Sequence, residues 1–584
     1  MKKFFNYIIY TLGVFSSVTV MVLVMSCTAD FEDFNRNPGE PTEKEMKEGY
    51  YLIKSHFPTL INYAYPVQEN AYQMTQSFIG DVYGRYFSVS KSGWQSHFQT
   101  FNAPDNWLKI PMEDTYKYTG RSFFEVEKLA KDEESFQHLY HFAKILRVTA
   151  FQRLTDMHGP LPYTQLRPGD LAVEYDDQET LYKKMFEELD EAIAYLTEFY
   201  KENPGYAASS DLLDNIYGND YKKWVVYANT LKLRMAMRVR FAAPELAKEK
   251  AESAVKHEFG VMNTNADNAY NSFQPNGLFK IAVEWGDARA CADIICYMNG
   301  YNDPRRAKYF TKTEASNWDE EESIFVGIRS GITVTSQEVA KKFSTSTSVA
   351  SSKLLIMPAS ESYFLRAEGA LIGWDMGGTA QEFYEKGIRV SFEQYGITDA
   401  EDIDNYLNDE DNTPEDYSLF GDDLLIDPSV DYDVENESEA TIKWEESDEM
   451  ETKLEKIITQ KWIAMFPLGQ EAWSEQRRTG YPKFFPVLIN LSGDDSLTEN
   501  LASRIPYPKV EKDKPNYENV LQLLEGKDDY ATKLWWDKNP NKQENNFEYT
   551  DNYLKRIKNE KKRIYNIIEV NANLNFCSIL YDWL

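Results

Sequence analysis

The stretch that decides the fold is 359-ASESYFLRAEGALIGWDMGGTAQEFYEKGIRVSFEQYG-396. Residues 359–373 predict one helix, Trp374 to Gly378 a glycine-rich turn, and Thr379 to Tyr395 a second helix that Gly396 ends. Ala367, Ala370 and Gly387 are small enough to let the two helices approach closely. The segment is therefore predicted to be a helical hairpin.

This hairpin resembles a tetratricopeptide unit, whose period is about 34 residues. One such unit cannot bury its apolar stripe alone, so several must stack. Other segments carry apolar residues at helical spacing and predict further helices over residues 138–155, 178–199, 220–241 and 450–466. The fold class is therefore mostly α, a scaffold of stacked tetratricopeptide-like helical hairpins. Long stretches without this pattern are expected to pack on the scaffold as irregular, functional loops, at residues 64–110, 260–355 and 397–448.

The first 26 residues have the pattern of a lipoprotein signal peptide. Lys2 and Lys3 give a basic start, residues 7–25 are apolar and uncharged, and the small residue Ser26 precedes Cys27. Cys27 is predicted to be lipidated after cleavage behind Ser26, with residues 27–45 forming the anchor and linker. The alternative is an uncleaved transmembrane anchor, because the apolar run is about as long as a marginal membrane span.

The charge of the chain excludes some ligands. The formal net charge is -31, and such a surface repels the phosphate backbone of nucleic acids. Anionic glycans are disfavoured for the same reason. Aromatic residues make up 14% of the chain, and the faces of their rings are the surfaces on which flat sugar rings stack. Most of these rings are nevertheless expected in the core.

Sequence signals for catalysis are missing. The chain has no Gly-x-Ser-x-Gly, no His-Glu-x-x-His and no phosphate-binding glycine loop. His138 and His141 could hold a metal but are expected to be surface residues, and the acidic residues 399–449 are expected to form a solvated loop rather than a calcium site. Cys291 and Cys296 are expected to be buried free thiols. We therefore predict no enzyme, no cofactor and no metal, with a surface glycoside hydrolase as the enzyme alternative.

Several short motifs stand in an order that resembles the SusD/RagB family of nutrient-binding lipoproteins. They run from the lipidation motif to about Asp537, nearly the whole mature chain. The motifs are Phe31 to Pro38, Asp156 to Tyr163, Glu188 to Ile193, Tyr217 to Asp220 with Lys223 and Trp224, Asp303 to Arg305, Ser362 to Glu368, Gln460 to Trp462, Glu471 to Pro482, and Arg504 to Pro508. Each motif alone is weak, but the shared order is specific. His158 departs from the pattern, since an aromatic residue is expected there.

The resemblance implies a right-handed scaffold of four tetratricopeptide-type hairpins, in an outer-membrane lipoprotein that faces the exterior. Acidic residues soon after Cys27 are similar to the surface-export signal of Bacteroidetes lipoproteins. Members of the family capture oligosaccharides, and some capture peptides. They form a lid on a TonB-dependent barrel transporter of the SusC type. The resemblance therefore implies oligosaccharide binding and delivery to a SusC-like partner, with peptide uptake as the nearer alternative. Residues 46–548 would form one ligand-binding domain, and residues 549–584, which carry six Lys and Arg against four Asp and Glu, would be an atypical tail.

The candidate ligand-binding residues lie in the long loops, because functional residues are concentrated on loops that a scaffold positions. Trp94 and Trp318 stand in polar surroundings, and family members place an aromatic arc in comparable loops. We expect these two indoles to converge on one face, whereas Trp107 and Trp285 are expected to be less exposed. The weaker candidates, which could add hydrogen bonds to sugar hydroxyls, are Tyr301, Asn302, Asn70, Gln73 and Asp81. The charged residues Glu471, Arg477, Arg478, Arg366 and Glu368 are interpreted as scaffold ion pairs.

Overall fold

The computed structural model describes residues 51–542 apart from short gaps. The gaps are residues 168, 170–171, 210–213, 314–323, 333, 348–352, 420–431, 499–500 and 526. Cys27, Trp318 and the predicted signal, linker and tail lie outside the described residues. The chain divides into two units at Ser55, and the architecture given below belongs to the unit that begins at His56.

The described residues are mostly helical, which confirms the predicted fold class. The helices of eight or more residues are α1 (Phe57–Ala64), α2 (Arg121–Ala130), α3 (Gln137–His158), α4 (Gln178–Glu202), α5 (Tyr221–Val239), α6 (Pro244–Lys256), α7 (Ala292–Gly300), α8 (Ala359–Leu371), α9 (Ala380–Gln394), α10 (Ala400–Leu407), α11 (Met450–Ala464) and α12 (Gly469–Thr479). Within the described ranges, three π-helical segments also occur, at Gln73–Asp81, Thr115–Gly120 and Phe279–Trp285. Neighbouring helices pack in pairs, α3 on α4, α5 on α6 and α8 on α9, and α5 and α11 both contact α8.

The hairpin formed by α8 and α9 follows the sequence closely. The Thr379 side chain accepts a hydrogen bond from the Glu382 backbone, and Glu382 bonds back to Thr379, which fixes the start of α9. A Cβ atom at Gly387 would lie 2.8 Å from the Phe364 ring. The absence of a side chain there is what lets α9 approach α8, as the sequence predicts.

Buried ion pairs join these helices. Arg238 on α5 is fully buried and contacts Asp156 on α3 at 3.1 Å, Glu475 on α12 at 2.6 Å, and Glu471. Arg478 on α12 likewise pairs with Glu475 and with Glu368 on α8. The prediction of scaffold ion pairs is confirmed for Glu471, Arg478 and Glu368.

Arg477 and Arg366 differ from that prediction. The Arg477 guanidinium lies over the Trp473 ring at 3.5 Å and donates to the Ser503 carbonyl. The Arg366 guanidinium lies over the Phe383 ring at 3.9 Å and donates to the Met376 carbonyl. Both guanidinium groups therefore contact aromatic rings and backbone carbonyl oxygens, whereas the sequence predicted carboxylate partners.

The segments between the helical pairs are more ordered than predicted. In the part of the chain that the structure describes, four short strands form two antiparallel pairs, β1 (Phe87–Val89) with β3 (Ala288–Ala290), and β2 (Ala269–Asn271) with β4 (Leu354–Met357). Helices α7 and α10 also fall in stretches expected to be irregular. The first of these stretches buries apolar residues, since Phe78, Phe98 and Phe101 belong to one hydrophobic cluster with Trp473 of α12 and Ile505. Cys291 and Cys296 are free and buried, as expected.

Candidate ligand-binding surface

The β1–β3 pair brings two loops together at the edge of the molecule. Ser90 follows β1, and its backbone amide donates to the Asp287 carbonyl at 2.9 Å while its hydroxyl donates to the Gly286 carbonyl at 2.9 Å. The Lys91 ammonium lies 3.1 Å from the Asp287 carboxylate. Residues 90–95 and 283–287 are therefore held side by side, and we call them the paired loops.

Trp94 occupies the first of the paired loops. Its ring makes edge-to-face contacts with the rings of Phe78 and Trp107, at centroid distances of 5.2 Å and 5.1 Å. Trp94 therefore packs against the hydrophobic cluster that contains Phe78. Gly93 has φ +84° in open space, which suits the turn between Lys91 and Trp94. Trp94 is half-buried, with part of the indole left at the surface.

Trp285 occupies the second of the paired loops and is more exposed than the sequence interpretation expected. It ends the π-helical segment Phe279–Trp285 before Gly286, and 38% of its surface is exposed. Trp107, which was also expected to be less exposed, is half-buried like Trp94. The polar context of Trp94 gave a usable signal, whereas Trp285, between Glu284 and Gly286 after the apolar residues 281–283, was expected to be less exposed.

The carboxylates of the paired loops are already in ion pairs. Asp287 contacts Lys91 and also accepts a hydrogen bond from the Gln73 amide at 2.9 Å. Glu284 contacts Lys280 at 2.5 Å. Nearby, burial lowers the pKa of His97 to about 3, so the imidazole is uncharged at neutral pH. The arrangement offers ring faces and hydrogen bonds, which is a surface suited to binding a neutral ligand.

Three of the weaker candidates, Tyr301, Gln73 and Asp81, are buried, and their role in ligand binding stays a prediction. Tyr301 donates its hydroxyl to the Ala440 carbonyl inside the protein. The side-chain amide of Gln73 donates a hydrogen bond to the Asp287 carboxylate. Asp81 is fully buried beside the Tyr72 hydroxyl, and burial raises the pKa of its carboxyl well above the ordinary value. Their polar residue types suggested a surface role, but each completes a contact within the folded chain.

Of the remaining candidate residues, two are exposed and one lies outside the described residues. Asn70 and Asn302 are exposed, and Asn302 adopts the left-handed conformation with φ +49° at the end of α7. Neither has a contact that joins it to the paired loops. Trp318 belongs to residues outside the described structure, so its convergence with Trp94 stays a prediction. The ends of that segment are fixed, because the Thr313 amide donates to the Ile324 carbonyl at 2.8 Å.

Contrary to the prediction, neither histidine of the pair is exposed, and His141 is half-buried. His138 is buried, bonds to the Tyr206 hydroxyl at 2.8 Å and stacks on Phe199 of α4. His141 stacks on Tyr195 of the same helix. Among the described residues no group of three His, Cys, Asp or Glu side chains is placed to hold a metal ion. In the same part of the chain, no helix is both long and apolar enough to span a membrane.

The described residues form a helical scaffold that carries partly exposed aromatic rings on two joined loops. The chain belongs to the SusD-like family, the Susd and RagB outer membrane lipoproteins, whose profile matches residues 33–537. The resemblance seen in the motifs is thus confirmed. No curated protein sequence matches the chain.

Solved structures of the family superpose over most of the chain. A chitin-binding SusD homologue from Flavobacterium johnsoniae is 36% identical, with 84% of this chain and 100% of that chain covered and a TM-score of 0.77. A SusD homologue from Bacteroides uniformis is 38% identical, with 84% and 100% covered and a TM-score of 0.76. A SusD-like protein from Bacteroides thetaiotaomicron is 33% identical, with the same coverage and a TM-score of 0.76.

Proposed function

We propose that this protein binds an oligosaccharide at the cell exterior and delivers it to a SusC-like TonB-dependent transporter, without chemical conversion. The observation that carries the binding role is the exposed indole of Trp285 in a loop bonded to the loop of Trp94. Sugar rings have apolar C–H faces, and a flat indole is a matching partner. A family relative that is 36% identical is described as chitin-binding, which supports a glycan ligand.

Trp318 is proposed as a third ring of the same site. The segment that carries it begins after Thr313, and Thr311 is bonded to Thr345. The Thr345 hydroxyl in turn donates to the Ala282 carbonyl at 3.1 Å, three residues before Trp285. The fixed ends of the segment are thereby tied to the element that ends in Trp285, which favours an arc of several rings. Asn70 and Asn302 are kept as proposed hydrogen-bonding residues at exposed positions.

The ligand class is tested by binding screens with the purified protein. Glycan and peptide arrays, with chitin oligosaccharides included because of the relative, should give signals for one glycan type and none for peptides. A peptide-only result would replace this proposal with peptide uptake. Release of shorter sugars from a bound oligosaccharide, abolished by a single Asp or Glu substitution, would favour a glycoside hydrolase.

The location and partner are tested in cells. We propose that lipidated Cys27 holds the protein on the outer face of the outer membrane, where it can close over the transporter. The wild-type protein should remain in the membrane fraction, be cleaved by protease added to intact cells, and co-purify with a large TonB-dependent barrel in mild detergent. Cys27→Ala should be released from membranes. Membrane retention of Cys27→Ala, or recovery of the wild type without a barrel, would contradict these parts of the proposal.

A further inference from the structure

A small polar cavity lies between α3, α5, α12 and the π-helical segment Gln73–Asp81. Its volume is about 20 Å³, and one water needs roughly 10–15 Å³ on the same measure. The polar side chains that line it include Tyr65, Gln76, Arg153, Arg234, Gln470 and Glu471. Arg153 is half-buried and the other five are buried. The cavity therefore has room for one water or one single-atom ion, and solvent reaches it most readily beside Arg153.

The ion pairs beside the cavity balance one another without Arg153. Five cations and five carboxylates form one connected network, which consists of Arg234, Arg238, Arg240, Lys461 and Arg478 with Asp156, Glu361, Glu368, Glu471 and Glu475. Glu471, the carboxylate in the cavity wall, is already paired with Arg238 and lies 3.8 Å from Arg234. Arg153 has no ion pair with a described carboxylate. The wall of the cavity therefore carries one positive charge without a counter-charge.

The partners of Arg153 are neutral groups. Its Nε donates to Gln470 Oε1 at 3.0 Å, its Nη1 donates to the Ala64 carbonyl at 3.3 Å, and its Nη2 donates to Gln76 Oε1. The guanidinium also lies 4.2 Å from the centre of the Tyr65 ring. Burial lowers the pKa of Arg153 and raises that of the neighbouring Asp81 carboxyl, which makes Asp81 a weak source of negative charge. The contacts orient the guanidinium but leave its charge uncompensated.

Two further hydrogen-bond donors of the cavity wall have no acceptor among the described residues. The Gln76 carbonyl oxygen accepts from Arg153, so the amide nitrogen of Gln76 faces the Tyr65 hydroxyl oxygen and donates to it at 2.5 Å. The Tyr65 O–H is then left to donate elsewhere. Arg234 uses its Nε and Nη2 on Glu361, which leaves its Nη1. Spare donors beside an unpaired guanidinium favour an acceptor that carries negative charge.

We infer that the cavity binds one chloride ion, or another single-atom monovalent anion, between the Arg153 guanidinium and the Tyr65 hydroxyl. Phosphate, sulfate and carboxylates are too large for this volume. A water molecule would satisfy the donors but would leave the charge of Arg153 uncompensated. The bound anion would hold α3 and α5 against the segment Gln73–Asp81, which contacts the paired loops through Gln73. The anion therefore stabilises the fold, and the inference does not depend on the proposed glycan binding.

The first test compares the melting temperature Tm in sodium chloride and in sodium gluconate at equal ionic strength, since gluconate is too large for the cavity. The Tm of the wild type should rise by roughly 1 °C for each tenfold increase in chloride, because the unfolding entropy of so long a chain is large. Arg153→Gln removes the charge and should abolish this chloride dependence. Arg389→Gln, at the exposed ion pair with Asp404, is the matched control and should keep it. General salt effects are common to both variants and cancel in the comparison.

The second test locates the ion. Crystals of the wild type grown with bromide in place of chloride should show an anomalous scattering peak in the cavity, and crystals of Arg153→Gln should not. If Arg153→Gln does not fold, Tyr65→Phe removes a single O–H donor and should weaken the apparent chloride affinity about three- to tenfold.

Three results would overturn the inference. A cavity without a bromide peak would hold water only. A bromide peak that appears only at molar bromide, without a chloride-dependent Tm, would mean an adventitious ion only. A chloride dependence of Tm that Arg153→Gln, or Tyr65→Phe in its place, leaves unchanged would assign the effect to another part of the protein.

Discussion

The scaffold and the paired loops use the same residue types in opposite ways. In the scaffold, Trp473 and Trp536 are fully buried, and the Arg477 guanidinium lies against both rings. In the paired loops, Trp285 keeps 38% of its surface exposed. The difference shows that aromatic content alone does not indicate a sugar-binding site, because many aromatic rings are buried in the scaffold.

The charged residues of the scaffold and of the paired loops also differ in how deeply they are buried. Arg238 is fully buried and shared among three carboxylates on two other helices. Lys91, which joins the paired loops to Asp287, has a side chain that is 38% exposed. A buried ion pair that loses one partner leaves an uncompensated charge, whereas an exposed pair is replaced by water at little cost. The scaffold should therefore respond strongly to charge removal and the surface only weakly.

The largest expected effect is the loss of Arg238. Arg238→Met leaves Asp156, Glu471 and Glu475 without their shared cation in the interior, and breaking a buried pair costs about 3–5 kcal/mol. Urea denaturation should show that loss in the free energy of unfolding, or the variant should fail to fold. A loss below about 1 kcal/mol would mean that the network does not hold the helices together.

A smaller effect concerns acid and His158. Burial, helped by Arg504, lowers the pKa of His158 to about 3, whereas an unfolded histidine titrates near 6.5. The unfolded chain therefore takes up a proton first as the pH falls, and stability is lost from about pH 6.5 down to about pH 3. At pH 5 this group should contribute about 2 kcal/mol of that loss.

His158→Phe isolates this contribution. The ring of His158 lies against Tyr507 at 5.6 Å, so a phenyl ring preserves the planar contact but cannot titrate. Unfolding free energies measured at pH 7 and pH 5 should differ by about 2 kcal/mol less in the variant than in the wild type. An identical difference in both proteins would show that His158 is already charged in the folded state.

The smallest expected effect is at an exposed ion pair. Arg389 on α9 contacts Asp404 on α10 at 2.8 Å, with both side chains more than one third exposed. Arg389→Met makes the same chemical change as Arg238→Met and should alter the free energy of unfolding by about 0–1 kcal/mol. A cost similar to that of Arg238→Met would remove the distinction between scaffold and surface charges.

The helical scaffold could be predicted from the sequence because its signals are local. The apolar spacing and the glycine that ends a helix, Gly396, both act within about one helical turn of their own positions. The predicted helix over residues 138–155 is observed as Gln137–His158, and the helix over residues 450–466 as Met450–Ala464. The small residue Gly387 could also be interpreted correctly, since it is required by a neighbour in the same hairpin.

The ligand surface could be predicted only in part, because exposure depends on contacts distant in sequence. Gln73 and Tyr301 are polar residues in segments without helical pattern, yet Asp287 and Ala440 satisfy them in the interior. Trp285 comes after the apolar residues 281–283 and Glu284, and the hydrogen bond from Ser90 to Gly286 fixes the loop that carries it. No local pattern reveals either partner, since each lies far along the chain.

The central claim is that the exposed rings of the paired loops bind sugar and that the rings of the scaffold do not. The most direct measurement is calorimetric titration of the preferred oligosaccharide into the wild type, Trp285→Ala and Trp374→Ala. Trp374 is half-buried in the turn between α8 and α9 and serves as the matched scaffold control. Trp285→Ala should weaken binding by about 1–3 kcal/mol, in line with stacking on an aromatic ring, while Trp374→Ala binds as the wild type does. Wild-type affinity in Trp285→Ala, or an equal loss in Trp374→Ala, would contradict the claim.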